Sequence, residues 1–185
     1  DASDLDGVQR VELEPGPWVV YAGNPDRYQD LDVLVSAMRH LPEVGLLMVS
    51  AGPLDEWAGC GLTRLKLVQT SDFNEVKSWV AAADVAAIPR TVCSGYPIKL
   101  LNSLGLGVPT VVAEGSAQPL PGVVQVPNGD AVAMADAIRS LLSDREYLES
   151  LGRIAREHVR GACTWDARAR ELENIYFRVL SGGDH

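Results

Sequence analysis

From Trp18 onward, short and almost purely apolar runs alternate with turn residues and amphipathic stretches, and this rhythm limits the fold more than any other feature. Trp18-Val19-Val20-Tyr21-Ala22, Gly45 to Ser50, Leu65 to Val68, Asp84 to Ile88, Val108 to Ala113 and Val123 to Val126 read as strands. Between the first two, Leu31, Leu34, Val35, Met38 and Leu41 recur at helical spacing and predict a helix from Asp30 to Leu41, stopped by Pro42. A weak helix is expected over Leu54 to Ala58. A second full helix is expected from Ser71 or Asp72 to Ala82, and a third from Pro97 to Leu106. Strands alternating with helices at this pace form right-handed β-α-β units around a parallel sheet. Nearly continuous apolar strands suit a sheet covered on both faces. The expected architecture is α/β, a doubly wound, Rossmann-like parallel sheet of about six strands. Beyond Asn128-Gly129-Asp130 only helices are expected: Asp130 to Leu142, Asp144 to Val159 and Thr164 to Leu180. Residues 1–15 read as a lead-in and 16–185 as a single domain.

Length and charge narrow the function. A chain of 185 residues holds one full core. Its net charge is −9, with 25 acids against 16 bases, which disfavours a partner bound by neutralising nucleic-acid phosphates. No apolar run reaches the roughly 20 residues of a membrane helix. The acidic start has no apolar core of a signal peptide, and the chain opens on Asp1 rather than Met, as a processed or excised piece would. Cys60, Cys93 and Cys163 form no paired motif, so a cytoplasmic setting is expected and neither a disulfide framework nor a metal site. His40, His158 and His185 match no ligand spacing, and His40 reads as a helix-end cation.

Doubly wound sheets bind ligands at the carboxyl ends of their strands. The loops there are Gly23 to Gln29, Ala51 to Asp55, Gln69 to Asp72 and Pro89 to Tyr96. The last leads through Ser94 and Gly95 into a helix, with Arg90 and Lys99 beside it. Free amides and the positive end of a helix attract anions. The segment therefore reads either as a phosphate cradle or as an ordinary capped helix. Gly23-Asn24-Pro25-Asp26-Arg27-Tyr28-Gln29 is a second candidate but lacks the G-x-G-x-x-G dinucleotide fingerprint. Cys93 lacks a partner His at a recognisable position, so it does not read as a nucleophile.

Four landmarks in order resemble a known family. Val19 to Gly23 followed by Leu31-Asp32-Val33-Leu34 is similar to a first strand, phosphate loop and helix. Ala82 to Pro89 resembles the strand entering a donor loop. Ser94 to Asn102, running on to Gly107-Val108-Pro109-Thr110-Val111-Val112, sits where that family has its E-x7-E segment and following strand. Thr164-Trp165 to Tyr176 resembles its closing helix. The stretch from Trp18 to Leu180 thus resembles the C-terminal, donor-binding domain of GT-B glycosyltransferases, most closely glycosyltransferase family 4. The resemblance implies one half of a GT-B fold with extra C-terminal helices. It implies a nucleoside-diphosphate sugar as donor, retaining transfer and no required metal or other cofactor. It also implies an acceptor site on a separate N-terminal domain absent from this chain, and peripheral membrane contact in the full-length protein.

The match is imperfect where chemistry is expected. The family's first loop carries an Arg and a Lys; Asn24 and Gln29 stand there. Ser94 and Asn102 replace the two Glu of E-x7-E. On this resemblance Arg90 and Lys99 are the expected catalytic cations. Gly23, Asn24, Arg27, Gln29, Gln69, Ser94, Gly95, Tyr96 and Asn102 are the expected donor-binding residues, with Asn102 toward the ribose, Ser94 toward the sugar and the base against Val68 to Thr70. The alternatives are a degenerate, non-catalytic nucleotide-binding or scaffolding domain and, less in keeping with the loops, half of a nucleotide-sugar epimerase. Trp18, Trp79 and Trp165 are expected in the core or at a domain contact. The arginines at 153, 156, 160, 168 and 170 are expected to pair with nearby acids on helix faces.

Overall fold

Every apolar run named above becomes a strand. The structure is a computed structural model that describes residues 5, 7–90, 98–117 and 119–180. Strands β1 (Trp18–Ala22), β2 (Gly45–Ser50), β3 (Leu65–Gln69), β4 (Val85–Ile88), β5 (Thr110–Ala113) and β6 (Val123–Val126) form one sheet in the order β3-β2-β1-β4-β5-β6. All pairings are parallel. The order reverses between β1 and β4, which opens a crevice at their carboxyl ends.

Helices α1 (Leu31–Arg39), α2 (Phe73–Ala82), α3 (Ile98–Gly105) and α4 (Ala131–Ser143) pack against the sheet. Helices α5 (Arg145–Ala162) and α6 (Trp165–Leu180) follow. Successive strand residues face opposite sides. Val19 and Tyr21 therefore join Leu34 and Met38 of α1 and Met134 and Ile138 of α4. Trp18 and Val20 join Leu47, Val49 and Val80 on the other side. A third cluster, with Ile88, Leu100, Leu104, Val112, Ala155 and Val159, joins α3 and α5 to β4 and β5. Burying such a side chain stabilises the fold by roughly 1.5–3 kcal/mol.

The caps act as their residue types predict. Carboxylates of Asp72, Asp130 and Asp144 accept from the amides of Asn74, Ala133 and Tyr147, and the Thr164 hydroxyl accepts from Ala167. Three expectations shift. The weak helix at 54–58 is a 3-10 turn, Asp55–Trp57. β5 begins at Thr110 rather than Val108, because the Val108 amide closes α3 on the Ser103 carbonyl at 2.9 Å and Pro109 has no amide to offer. Trp165 is not a core residue: it is 78% exposed, and Leu172, Ile175, Tyr176 and Val179 of α6 are exposed too.

The lead-in is bound to the body. Leu5 is buried against Gly105, where a Cβ would collide with it. The Trp18 indole donates to the Glu14 carbonyl at 2.8 Å, and the Arg64 guanidinium lies over the Trp18 ring while donating to the Pro15 carbonyl. Arg168 pairs with Glu171, as the interleaved charges predict, and Arg145, outside that expected set, pairs with Glu149. Arg156 instead donates to the Leu106 carbonyl. Among the described residues, no helix is long and apolar enough to cross a membrane.

Candidate functional site

The carboxyl ends of β1, β2 and β3 and the inner sides of α2 and α3 enclose a cavity of about 220 Å³. Gly23, Asn24, Lys99 and Asn102, all expected site residues, line it, as do Thr70 and Ser71 in the loop after β3. Its centre of charge is Lys99, in the first turn of α3.

Lys99 reaches back to β1. Its Nζ donates to Gln29 Oε1 at 2.7 Å and to the Tyr21 hydroxyl at 3.4 Å, and lies 4.7 Å from the Tyr21 ring centre. The Tyr21 hydroxyl spends its own proton on the Asn24 carbonyl at 2.7 Å, which leaves its lone pairs for the ammonium. Burial, aided by the nearby Arg90 guanidinium, pushes the Lys99 pKa down to about 8, against a smaller pull upward from Asp26. Burial likewise raises the Tyr21 phenol, which stays protonated.

Local structure explains this arrangement. Gly23 has φ 149°, and its amide donates to the Val49 carbonyl at 2.9 Å. A Cβ at Gly23 would stand 2.9 Å from Lys99 Nζ, so glycine leaves room for the ammonium. The chain then makes a 3-10 turn, Arg27–Gln29, that brings Gln29 inside, where it is only 3% exposed. Asp30 takes a left-handed conformation, φ 53°, before α1 starts.

The other expected residues divide. Arg90, just beyond β4, is 8% exposed, and its carbonyl accepts from the Ser116 hydroxyl. Arg27 is exposed and lines a different hollow with Asp26, Asp30, Asp32 and Glu56. Gln69 ends β3 opposite Ser50 and is exposed, while its neighbour Thr70 faces the cavity. Ser94, Gly95 and Tyr96 lie outside the described residues, as does Cys93.

Two residues escaped the sequence reading. Tyr21 looked like core. Its signal was a lone phenol in an aliphatic strand, one residue from the carboxyl end. Lys77 of α2 lines the same cavity, 7% exposed, with its ammonium 5.0 Å from the Phe73 ring centre. Its signal was weaker: it is one of three lysines in an acidic chain. The arrangement can hold an anion beside Lys99 and Lys77, which both line the cavity. Among the described residues no group of three or more His, Cys, Asp and Glu is placed to hold a metal ion.

Residues 16–144 match the sequence profile of the family described as "Glycosyl transferases group 1". The chain is 27% identical over 180 residues to the sulfoquinovosyl transferase of Arabidopsis thaliana, covering 89% of this chain and 35% of that protein. It therefore spans about a third of that relative's length. Its fold matches the crystal structure of the C-terminal domain of a glycosyl transferase group 1 family protein from Francisella tularensis. That match has a TM-score of 0.68 at 15% identity and covers 87% of this chain and 98% of that domain. It also matches an Anabaena protein crystallised with UDP and glucose, with a TM-score of 0.66 at 16% identity, over 90% of this chain and 49% of that one. This chain belongs to the group 1 glycosyl transferases and has the fold of their C-terminal domain, one half of the two-domain GT-B architecture.

Proposed function

We propose that the cavity holds the diphosphate of a nucleoside-diphosphate sugar and that the full-length protein is a retaining glycosyltransferase. The observation that carries this reading is a buried ammonium, Lys99, held by two neutral groups and, among the described residues, by no carboxylate hydrogen bond, at the carboxyl edge of β1. Transfer breaks the bond between the sugar's anomeric carbon and the diphosphate oxygen, so negative charge grows on the leaving group. A fixed cation in a water-poor site stabilises that charge without having to reorganise. Lys99 and Arg90 take this role, and Lys77 adds charge at the cavity wall. Asn102 serves the ribose, since an amide both donates and accepts. The base rests against residues 68–70, and the role proposed for Ser94 is to contact the sugar. The acceptor comes from the N-terminal half of the enzyme, so this domain alone is expected to bind donor without turning it over.

Calorimetric titration with UDP, GDP and ADP tests the reading. Micromolar binding of one nucleotide, weakened ~10–100-fold by Lys99→Ala, is the expected result, because a lost charge-assisted hydrogen bond is worth roughly 1.5–3 kcal/mol. No binding by the folded domain joined to its N-terminal half would favour a degenerate domain, the reading that the neutral Asn24 and Gln29 support.

A further inference from the structure

Gln29 presents a puzzle for a ligand-contacting role. It is almost fully buried, and its carbonyl oxygen already accepts from Lys99. The two residues are separated by 70 positions, so only the fold brings them together. Tyr21 stands on the other side of the same ammonium, locked by its hydroxyl bond to the Asn24 carbonyl. Lys99 is otherwise a four-carbon chain with a compact charge, which on an open surface would sample many rotamers.

We propose that Gln29 is a positioning residue, whose side-chain carbonyl, together with the Tyr21 phenol, holds the Lys99 ammonium at the carboxyl edge of β1 for an incoming diphosphate. Gly23 belongs to the same device, because any side chain there meets the ammonium. The inference rests on the donor-site reading above. A neutral acceptor suits this task better than a carboxylate. It stabilises the charged ammonium through a hydrogen bond but does not cancel its charge. Gln29 therefore raises the protonated fraction of a lysine that burial and Arg90 push the other way. The charged or titratable groups around this ammonium are Tyr21 on β1, Asp26 in the first loop, Arg90 after β4 and Lys77 on α2.

The chain has only Lys66, Lys77 and Lys99, so carbon-13 labelling at the lysine Cε positions gives a spectrum in which Lys99→Ala identifies the Lys99 signal. Gln29→Met keeps the volume and removes the acceptor. Its Lys99 midpoint is expected to fall by about one pH unit. UDP affinity is then expected to drop at both pH values, through the lost positioning, and about fivefold further at pH 8 than at pH 6, where the lysine is protonated either way. Gln29→Glu is expected to raise the midpoint yet weaken UDP at both pH values, because its carboxylate neutralises the ammonium. Opposite shifts from two variants of one size distinguish positioning from a general packing defect. An unmoved midpoint, shifts in the same direction, or an equal affinity loss at pH 6 and pH 8 in Gln29→Met would overturn the proposal. If Gln29→Met does not fold, the midpoint in Gln29→Glu decides. If Lys99→Ala leaves UDP binding unchanged, the donor-site reading fails, while the lysine titration still decides whether Gln29 holds Lys99.

Discussion

The two ends of the sheet treat a positive charge in opposite ways. At the amino end, Arg145 on α5 is bound at 2.7 Å by Asp84 and at 2.7 Å by Glu149, and these bonds raise its already high pKa. Asp84 in turn accepts from the Trp18 amide at 2.9 Å, which ties the start of β1 to the start of β4. At the carboxyl end, Lys99 is more deeply buried, has neutral hydrogen-bond partners and is pushed toward losing its proton. One cation is held by two carboxylates and the other, among the described residues, by neutral acceptors. Paired carboxylates suit a structural clamp, whose charge is matched in the fold itself. A buried cation held by neutral groups costs the apo fold something, which an arriving anion offsets.

The contrast makes ordered predictions. The largest effect is on binding: Lys99→Ala lowers nucleoside-diphosphate affinity by an order of magnitude or more, while Arg145→Ala leaves it unchanged, as titration calorimetry would show. The next is on stability. Asp84→Ala removes the acceptor of the Trp18 amide and is expected to destabilise the fold by ~1–3 kcal/mol in a urea melt, without touching nucleotide binding. A third concerns pH. The folded pKa of Lys99 lies below its unfolded value of 10.5, so between about pH 8 and 10.5 the native state holds fewer protons than the unfolded chain. Stability from this group therefore rises with pH through that window. Compared with Lys99→Met, the wild type should gain ~2 kcal/mol between pH 7.5 and 9.5. The raised Tyr21 pKa acts in the opposite sense only at higher pH, where the unfolded phenol ionises. The smallest effect is that of Arg145→Ala on stability, ~0–1 kcal/mol, because Arg145 itself is largely exposed. A loss several times larger would mean that the clamp at the amino end has been underrated.

The fold was legible because its signals are local. Apolar runs covered on both faces, Asp and Thr caps and the stops at Pro42 and Gly107 place each element within a few residues. Part of the site was legible for the same reason. Gly23 ends a strand, and Lys99 starts a helix beside it. The Lys99–Gln29 contact was not legible, since it joins a 3-10 turn to a helix start separated by three strands of chain, and no spacing rule connects residues 29 and 99. Tyr21 was hidden by its strand, where a phenol counts as an apolar body until its hydroxyl is seen to clear the sheet edge. Of the two places expected for Trp165, core or domain contact, the structure removes the first: α6 buries none of its residues among the described part of the chain.

The central claim is that the buried Lys99 ammonium, held by Gln29 and Tyr21, waits for a diphosphate. Calorimetric titration with UDP in buffers of different ionisation enthalpy measures it directly. At pH 8, where the lysine is half protonated and the UDP phosphates are fully ionised, binding should take up about half a proton, and Lys99→Met should abolish the uptake. Binding with no proton uptake at pH 8, or with uptake that survives Lys99→Met, would contradict the account.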